Sequence, residues 1–320
     1  MLTEGVIMSA LFIIGNGFDI AHGIPTKYND FRKFIMAKFP HALKYRDEIV
    51  YMEDCKDIYV DEFAAEILLS TMDKVCGENW GDFEEALARI DFSNKLPFPA
   101  YEDDETYEEE TYKMQDYLLY MDMLTSAFIN CTNLWQEFFR VWVKGIEQEI
   151  ETRKYSMMPA LKELFSQPDA QFFTFNYTKT LQILYGAKKV IHIHNRSGQK
   201  LIFGHSAEDI MYEEFGGNSQ IGSSFLDDMV MSFKKNSTTQ MKKHLGFFKK
   251  LNSSVNQIYS YGFSYSKVDS IYIKEIIKQI SPTATWYFTK FDAQNKESLR
   301  VKKIKLRNYG FKGTFELYEG

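Results

Sequence analysis

Histidine and asparagine at the ends of apolar runs are the residues of this chain best suited to do chemistry. His192 and His194 alternate across Ile193, at the end of the run Lys189–Ile193. Residues two apart on a strand share a face, and His194, nearer the strand end, is the better-placed general base. His192 lies deeper and reads either as part of the same site or as a satisfied core histidine. Asn176 follows the run Gln171–Thr174 in Phe175-Asn176-Tyr177-Thr178. Its amide offers two donors and an acceptor, which suits holding a ribose hydroxyl or a water, or it makes an Asx turn. Asp19 follows Gly15-Asn16-Gly17, which ends the run Leu11–Ile14. Asp19 either meets a ribose or a reacting group, or caps the next helix. Nearby His22, beside Gly23-Ile24-Pro25, reads as a structural histidine in a tight turn.

These residues need a scaffold that gathers strand ends. An apolar run, a glycine turn and then a helix is how a first β-strand hands over to a phosphate-facing loop; it is equally a tight turn with no ligand. Further runs end in small or polar residues: Leu201–Phe203 in Gly204-His205-Ser206, and Gln257–Tyr261 in Gly262-Phe263-Ser264, with Asp269 soon after. In an open parallel sheet ligands sit outside the carboxyl ends of the strands. The runs therefore predict one cleft lined by Gly15–Asp19, Asn176, His194, His205 and Gly262–Ser264. Strands are expected at 171–174, 189–193, 201–203, 257–261, 284–289 and near 313–318, with helices at 158–166, 178–185 and 269–280 and a helix-rich 224–251.

Between about 40 and 165 the pattern turns helical. Phe63, Ile67, Leu68 and Met72 mark one helix, and Trp80, Phe83, Leu87 and Ile90 a second. Met114 to Ile146 recur at helical spacing over roughly 40 residues, a long helix or a helical pair. Glu84 flanks the Trp80/Phe83/Leu87 stripe, as a cleft carboxylate or a boundary residue in water. The acidic run 101–110 reads as a solvated loop or helix entry. The fold class that follows is α/β: a Rossmann-like parallel sheet with helices on both faces, formed by residues 1–39 and 166–320, with an all-helical insertion or lid at 40–165.

Composition narrows the partners. The chain has 320 residues, 45% apolar and 26% charged, as in a soluble globular protein. Its net charge of −6 gives no bulk steering toward nucleic acid, and the Lys-rich stretches Lys234–Lys250 and Arg300–Arg307 read as solvated faces. No apolar run approaches the roughly 20 residues of a membrane span, and the first residues lack the basic region and cleavage site of a signal peptide. Cys55, Cys76 and Cys131 show no metal or disulfide spacing, which points to a reducing cytoplasm and away from a zinc site.

Taken together, IIGNGFDIAHGIPTKYNDF, WGDFEEAL, FTFNYTKTLQILY, VIHIHN, LIFGHS and IYSYGFSYSKVD resemble the AbiH family of bacterial abortive-infection proteins, which protect against bacteriophage. Asn195 stands where that pattern has glycine. More distantly, the order of GxG turn, Asn after a strand, His after the next and a late G-x-S…D is similar to the sirtuin-like NAD-binding domains of bacterial defence proteins. That resemblance implies NAD, or a related nucleotide, as ligand or substrate. It makes Asn176 and His194 the catalytic pair, sets Gly15, Asn16 and Gly17 against the phosphates, and puts Asp269 near the adenosine half. Asp19 departs from that loop, which usually has a small hydroxyl residue.

Three functions are compatible with these residues. One is a nucleotide-binding anti-phage effector that cleaves NAD through an oxocarbenium-like state. Another is a metal-dependent phosphoesterase built from Asp19, His22, Asn176, His192, His194 and His205. The third is a non-enzymatic module that senses a nucleotide or phage component. The phage trigger and the assembly state, including any homo-oligomer, are not written in the sequence.

Overall fold

The computed structural model describes residues 9–42, 60–90, 107–152, 155–206, 230–251 and 255–320. The expected features at Cys55, at 101–106, at Gly216-Gly217 and in the first part of the helix-rich 224–251 segment lie outside them. The first strand, β1 (Ser9–Ile14), has Leu11, Phe12, Ile13 and Ile14 all buried. A strand apolar on both faces belongs in the middle of a parallel sheet covered on both sides. β2 (Gln171–Thr174), β3 (Val190–His192), β4 (Val255–Tyr261), β5 (Thr285–Thr289) and β6 (Thr314–Tyr318) complete six strands in the order β3-β2-β1-β4-β5-β6. Every pairing is parallel. This is the doubly wound order, whose direction reverses between β1 and β4.

Period-two alternation sorts the strand residues onto two cores. Leu11, Ile13, Phe173, Ile258 and Trp286 face one side with Tyr272, Ile273 and Ile276 of α10 (Ser270–Gln279) and with Leu299 and Leu306 of α12 (Lys296–Asn308). Phe12, Ile14, Phe172 and Tyr259 face the other with Phe18 of α1 (Gly17–Ala21), Leu161 and Phe165 of α6 (Pro159–Phe165) and Leu181 of α7 (Thr180–Tyr185). α12 falls where the Lys-rich stretch Arg300–Arg307 read only as a solvated face, and α11 (Lys290–Gln294) precedes it. Leu299 and Leu306, seven apart, supply the buried stripe.

The expected strand at 201–203 is absent. Asn195 takes a left-handed φ of +62° and Gly198 one of +85°, so the chain reverses directly after β3. Ile202 N then donates to His194 O at 3.0 Å, and His205 forms an isolated parallel bridge with Lys234. Asn tolerates the left-handed region best after glycine.

The chain divides into two units: Met1–Lys27, Val143–Ile202 and Asn236–Gly320 form the first, and Tyr28–Trp142 with Phe203–Lys235 the second. The first holds the sheet. The described residues of the second that form regular structure are helical: α2 (Tyr28–Lys38), α3 (Val60–Cys76), α4 (Phe83–Ala86) and most of α5 (Tyr107–Glu151), one helix of 45 residues. Phe31 centres this unit's aromatic core, its ring 5.2 Å from those of Phe139 and Trp142 and 6.0 Å from those of Trp80 and Phe83. Beside it the Arg32 guanidinium donates from Nε and Nη2 to Asp73 at 2.8 and 2.7 Å, and Trp80 Nε1 donates to the same carboxylate at 2.7 Å.

In the first unit the β1 turn and the turn after β4 meet backbone to backbone. Gly15 N donates to Tyr261 O and Gly17 N to Gly262 O, both at 2.9 Å. Gly262 has φ +61°, and a Cβ there would lie 2.4 Å from Gly17 backbone atoms. Gly262→Ala is expected to lose roughly 2–5 kcal/mol, combining left-handed strain of about 1–2 with overpacking of about 1–3. Gly186 has φ +66° and nothing within 4 Å of an added Cβ, so Gly186→Ala keeps only the strain. Urea unfolding of the two variants measures the difference.

Candidate functional site

The carboxyl ends of β3, β2 and β1 stand side by side. The pairing of Thr174 with His192, continued by the Ile193 N to Thr174 O hydrogen bond at 3.1 Å, carries Asn176 and His194 out from neighbouring strand ends. Asp19, on α1 beyond the end of β1, is 1% exposed. Its Oδ2 accepts from Thr178 Oγ1 at 2.5 Å, and Thr178 lies 3.0 Å from the Thr180 hydroxyl. Burial pushes the Asp19 carboxyl up to about 6, against the lowering effect of Thr178, Thr180 and Asn176. Asp19 Oδ1 and Asn176 Oδ1 are both buried with no hydrogen-bond donor among the described residues.

His192 is satisfied on both ring nitrogens. Nδ1 meets Asn176 O at 3.0 Å and Nε2 meets Gln182 Nε2 at 2.7 Å. The amide must donate to Nε2, so Nδ1 carries the proton and donates to the carbonyl. The neutral ring fits its burial, which lowers its pKa to about 4. This is the satisfied core histidine among the two readings. His22 is similar: Nδ1 meets Phe18 O at 2.7 Å and Nε2 the Tyr185 hydroxyl at 2.6 Å, while that hydroxyl accepts from Met158 N.

His194 has a different neighbour. Its Nε2 lies 3.1 Å from Asp269 Oδ1, and both side chains are buried. Asp269 occupies the N-cap position of α10 but its carboxylate makes no cap hydrogen bond; Oδ2 accepts from Ser266 Oγ at 3.4 Å, and Oδ1 approaches the histidine without hydrogen-bond geometry. The rings of Phe175, Tyr177 and Tyr272 surround the imidazole. A carboxylate on one ring nitrogen orients an imidazole and leaves the other nitrogen to exchange a proton.

The remaining expected residues have partners of their own. The Gly15 and Gly17 amides are committed to the β4 turn, and Asn16 Nδ2 donates to Thr26 O at 2.8 Å. Ser264 is exposed and Gly262 holds the turn. His205 and Glu84 belong to the second unit. There His205 Nε2 meets Val230 O at 3.0 Å, and Glu84 takes the buried Lys235 ammonium at 2.8 and 2.9 Å. Among the described residues no three His, Cys, Asp or Glu side chains gather as a metal would need.

Sequence reading missed Thr178 and Thr180 as partners of Asp19, and Lys235 as the partner of Glu84. The alternating hydroxyls of Asn176-Tyr177-Thr178-Lys179-Thr180 carried a signal for the first; nothing in the sequence links residues 84 and 235. The family model for bacteriophage abortive infection AbiH matches residues 11–290 of the chain. No curated protein matches it.

The two titrations oppose each other. Asp19, raised from 3.8 to about 6, keeps in the folded state a proton that the unfolded chain has lost, so stability falls as pH rises through that window. His192, lowered from 6.5 to about 4, does the reverse, and stability rises with pH. Each is worth roughly 3 kcal/mol over the full window. Relative to the parent, Asp19→Asn should therefore gain roughly 3 kcal/mol between about pH 4 and 6.5, and His192→Asn should lose a similar amount. Urea unfolding across that range, read as a difference from the parent, checks both signs.

Proposed function

The chain belongs to the AbiH family of bacteriophage abortive infection proteins, and from that premise we propose that its α/β unit binds a ribose-bearing nucleotide, NAD or a relative, and hydrolyses its N-glycosidic bond. The observation that supports this reading is the pair of buried, unpartnered acceptors, Asp19 Oδ1 and Asn176 Oδ1. They lie at the carboxyl end of a doubly wound sheet, where such folds receive nucleotides. Leaving a buried acceptor without a donor costs about 1–3 kcal/mol, and a ribose supplies hydroxyl donors.

In this reading the ribose hydroxyls donate to Asp19 and Asn176. Water adds to the anomeric carbon as the base leaves, giving nicotinamide and ADP-ribose from NAD, with one proton released. His194, with the Asp269 carboxylate 3.1 Å from its Nε2, takes that proton at its other nitrogen. Asn176 orients the water or the hydroxyl beside it. The buried Asp19, whose carboxyl titrates near 6, places negative charge where positive charge develops on the sugar.

The test is incubation of the purified protein with NAD and related nucleotides, with products separated by chromatography. Release of nicotinamide or another free base is expected, and His194→Ala should slow it by about 10²–10⁴-fold. Asn176→Asp keeps the shape, adds a charge beside Asp19 and should also abolish turnover. Both variants, expressed at the parent level, should fail to protect cells in a phage plaque assay. Full protection by both, with no nucleotide consumed or bound by the parent, would refute the proposal.

A further inference from the structure

The net charge of −6 conceals a division by unit. The residues of the first unit include 25 Lys and Arg against 13 Asp and Glu, and those of the second 13 against 31. From Ala170 to Ala207 and from Met229 to Val268 there is no Asp or Glu, while the two stretches hold five and seven Lys and Arg. Part of this charge converges in the first unit. α8 (Ser237–Lys243) and α9 (Leu245–Lys250) carry Lys242, Lys243, Lys249 and Lys250, all exposed, and no acidic residue. Phe247 and Phe248 dock α9 onto Phe173 of β2, at ring distances of 5.4 and 5.7 Å. Lys243 Nζ donates to Asn195 Oδ1 at 3.1 Å, which joins these helices to the loop bearing Arg196 and Lys200. Among the described residues no carboxylate pairs with any of the six cations.

We propose that these six cations form a nucleic-acid-binding surface that grips the phosphate backbone. The chemistry favours this partner over others. Protein–protein interfaces are depleted of lysine and anchored by aromatics, and five of the six cations here are lysines. Phosphate contacts draw on Lys and Arg together with Ser, Thr, Asn and Gln, and the patch is interleaved with Gln199, Thr238 and Thr239. A membrane surface calls for a long amphipathic helix with an apolar face. α8 and α9 have seven and six residues, and Leu245, 42% exposed, is their one exposed large apolar side chain.

The experiment is fluorescence anisotropy of the full chain with a labelled single-stranded RNA and a labelled duplex DNA, each of about 20 residues per strand, across a salt series. Six phosphate contacts predict a log–log slope of about −4 on the single strand and about −5 on the duplex. The triple variant Lys242→Ala, Lys249→Ala, Lys250→Ala should reduce the slope by about 2–3 and weaken low-salt binding at least about tenfold. Lys162→Ala, an exposed lysine on α6 at the other face of the sheet, should change neither. The proposal fails if neither probe binds at about 50 mM salt, if the triple variant keeps the parent slope, or if Lys162→Ala weakens binding equally. It also fails if sedimentation shows a salt-sensitive dimer, lost in the triple variant, in a protein that binds no nucleic acid. That last result would assign the patch to the acidic unit of a second copy. All of these readouts are independent of nucleotide turnover.

Discussion

The backbone contact between the turn after β1 and the turn after β4 sets the terms for everything around it. The order in which strands are added reverses between these two parallel strands, and a doubly wound fold usually opens a crevice there for a ligand. Here Gly15 N and Gly17 N are spent on Tyr261 O and Gly262 O. An added Cβ at Gly15 or Gly17 would lie 2.6 Å from atoms of the opposing turn. The glycines are therefore fixed by packing, with no appeal to a phosphate. With those two amides committed, polar chemistry at this end of the sheet rests on side chains. It is displaced toward the ends of β1, β2 and β3, where Asp19, Asn176, Thr178, His192 and His194 cluster.

Within that cluster burial acts in two ways, and hydrogen bonding decides which. His192 and His22 are buried with both ring nitrogens engaged, so each is a neutral strut: His192 ties β3 to the backbone beyond β2, and His22 ties α1 to α7. Asp19 and Asn176 are buried with one acceptor each left unmet. The same low dielectric that raises the Asp19 carboxyl makes any donor brought to it bind more strongly than it would in water.

Much of this was legible in the chain. Strand ends could be read because apolar runs stop at glycine and polar residues, and all six strands of the sheet fall within two residues of where the periodicity puts them. The segment 201–203 misled because three apolar residues suit a strand locally, while the left-handed turn at Asn195 and Gly198 leaves them beyond the reach of the sheet. α12 was hidden by charge, since a helix with only Leu299 and Leu306 buried shows little apolar signal. The pairing of His194 with Asp269 could not be read, because it links the end of β3 to the start of α10 across the intervening β2 and β1. Sequence order contains no such distance.

An average of charge over the sequence is not what a ligand feels. At physiological ionic strength the screening length is about 8 Å, far shorter than a 320-residue protein is wide. A phosphate approaching α9 responds to the cations within that radius, and acidic residues beyond it are screened. The relevant quantity is the local balance along α8 and α9, which carry four lysines and no acidic residue, rather than the overall −6. The patch is also mechanically joined to the strand ends. Asn195 N donates to His192 O at 3.2 Å, its side chain donates to Lys200 O and accepts from Lys243. The residue that turns the chain out of β3 beside His194 is thus held by the Lys200 main-chain carbonyl and the Lys243 ammonium, which ties the loop bearing Arg196 and Lys200 to α8.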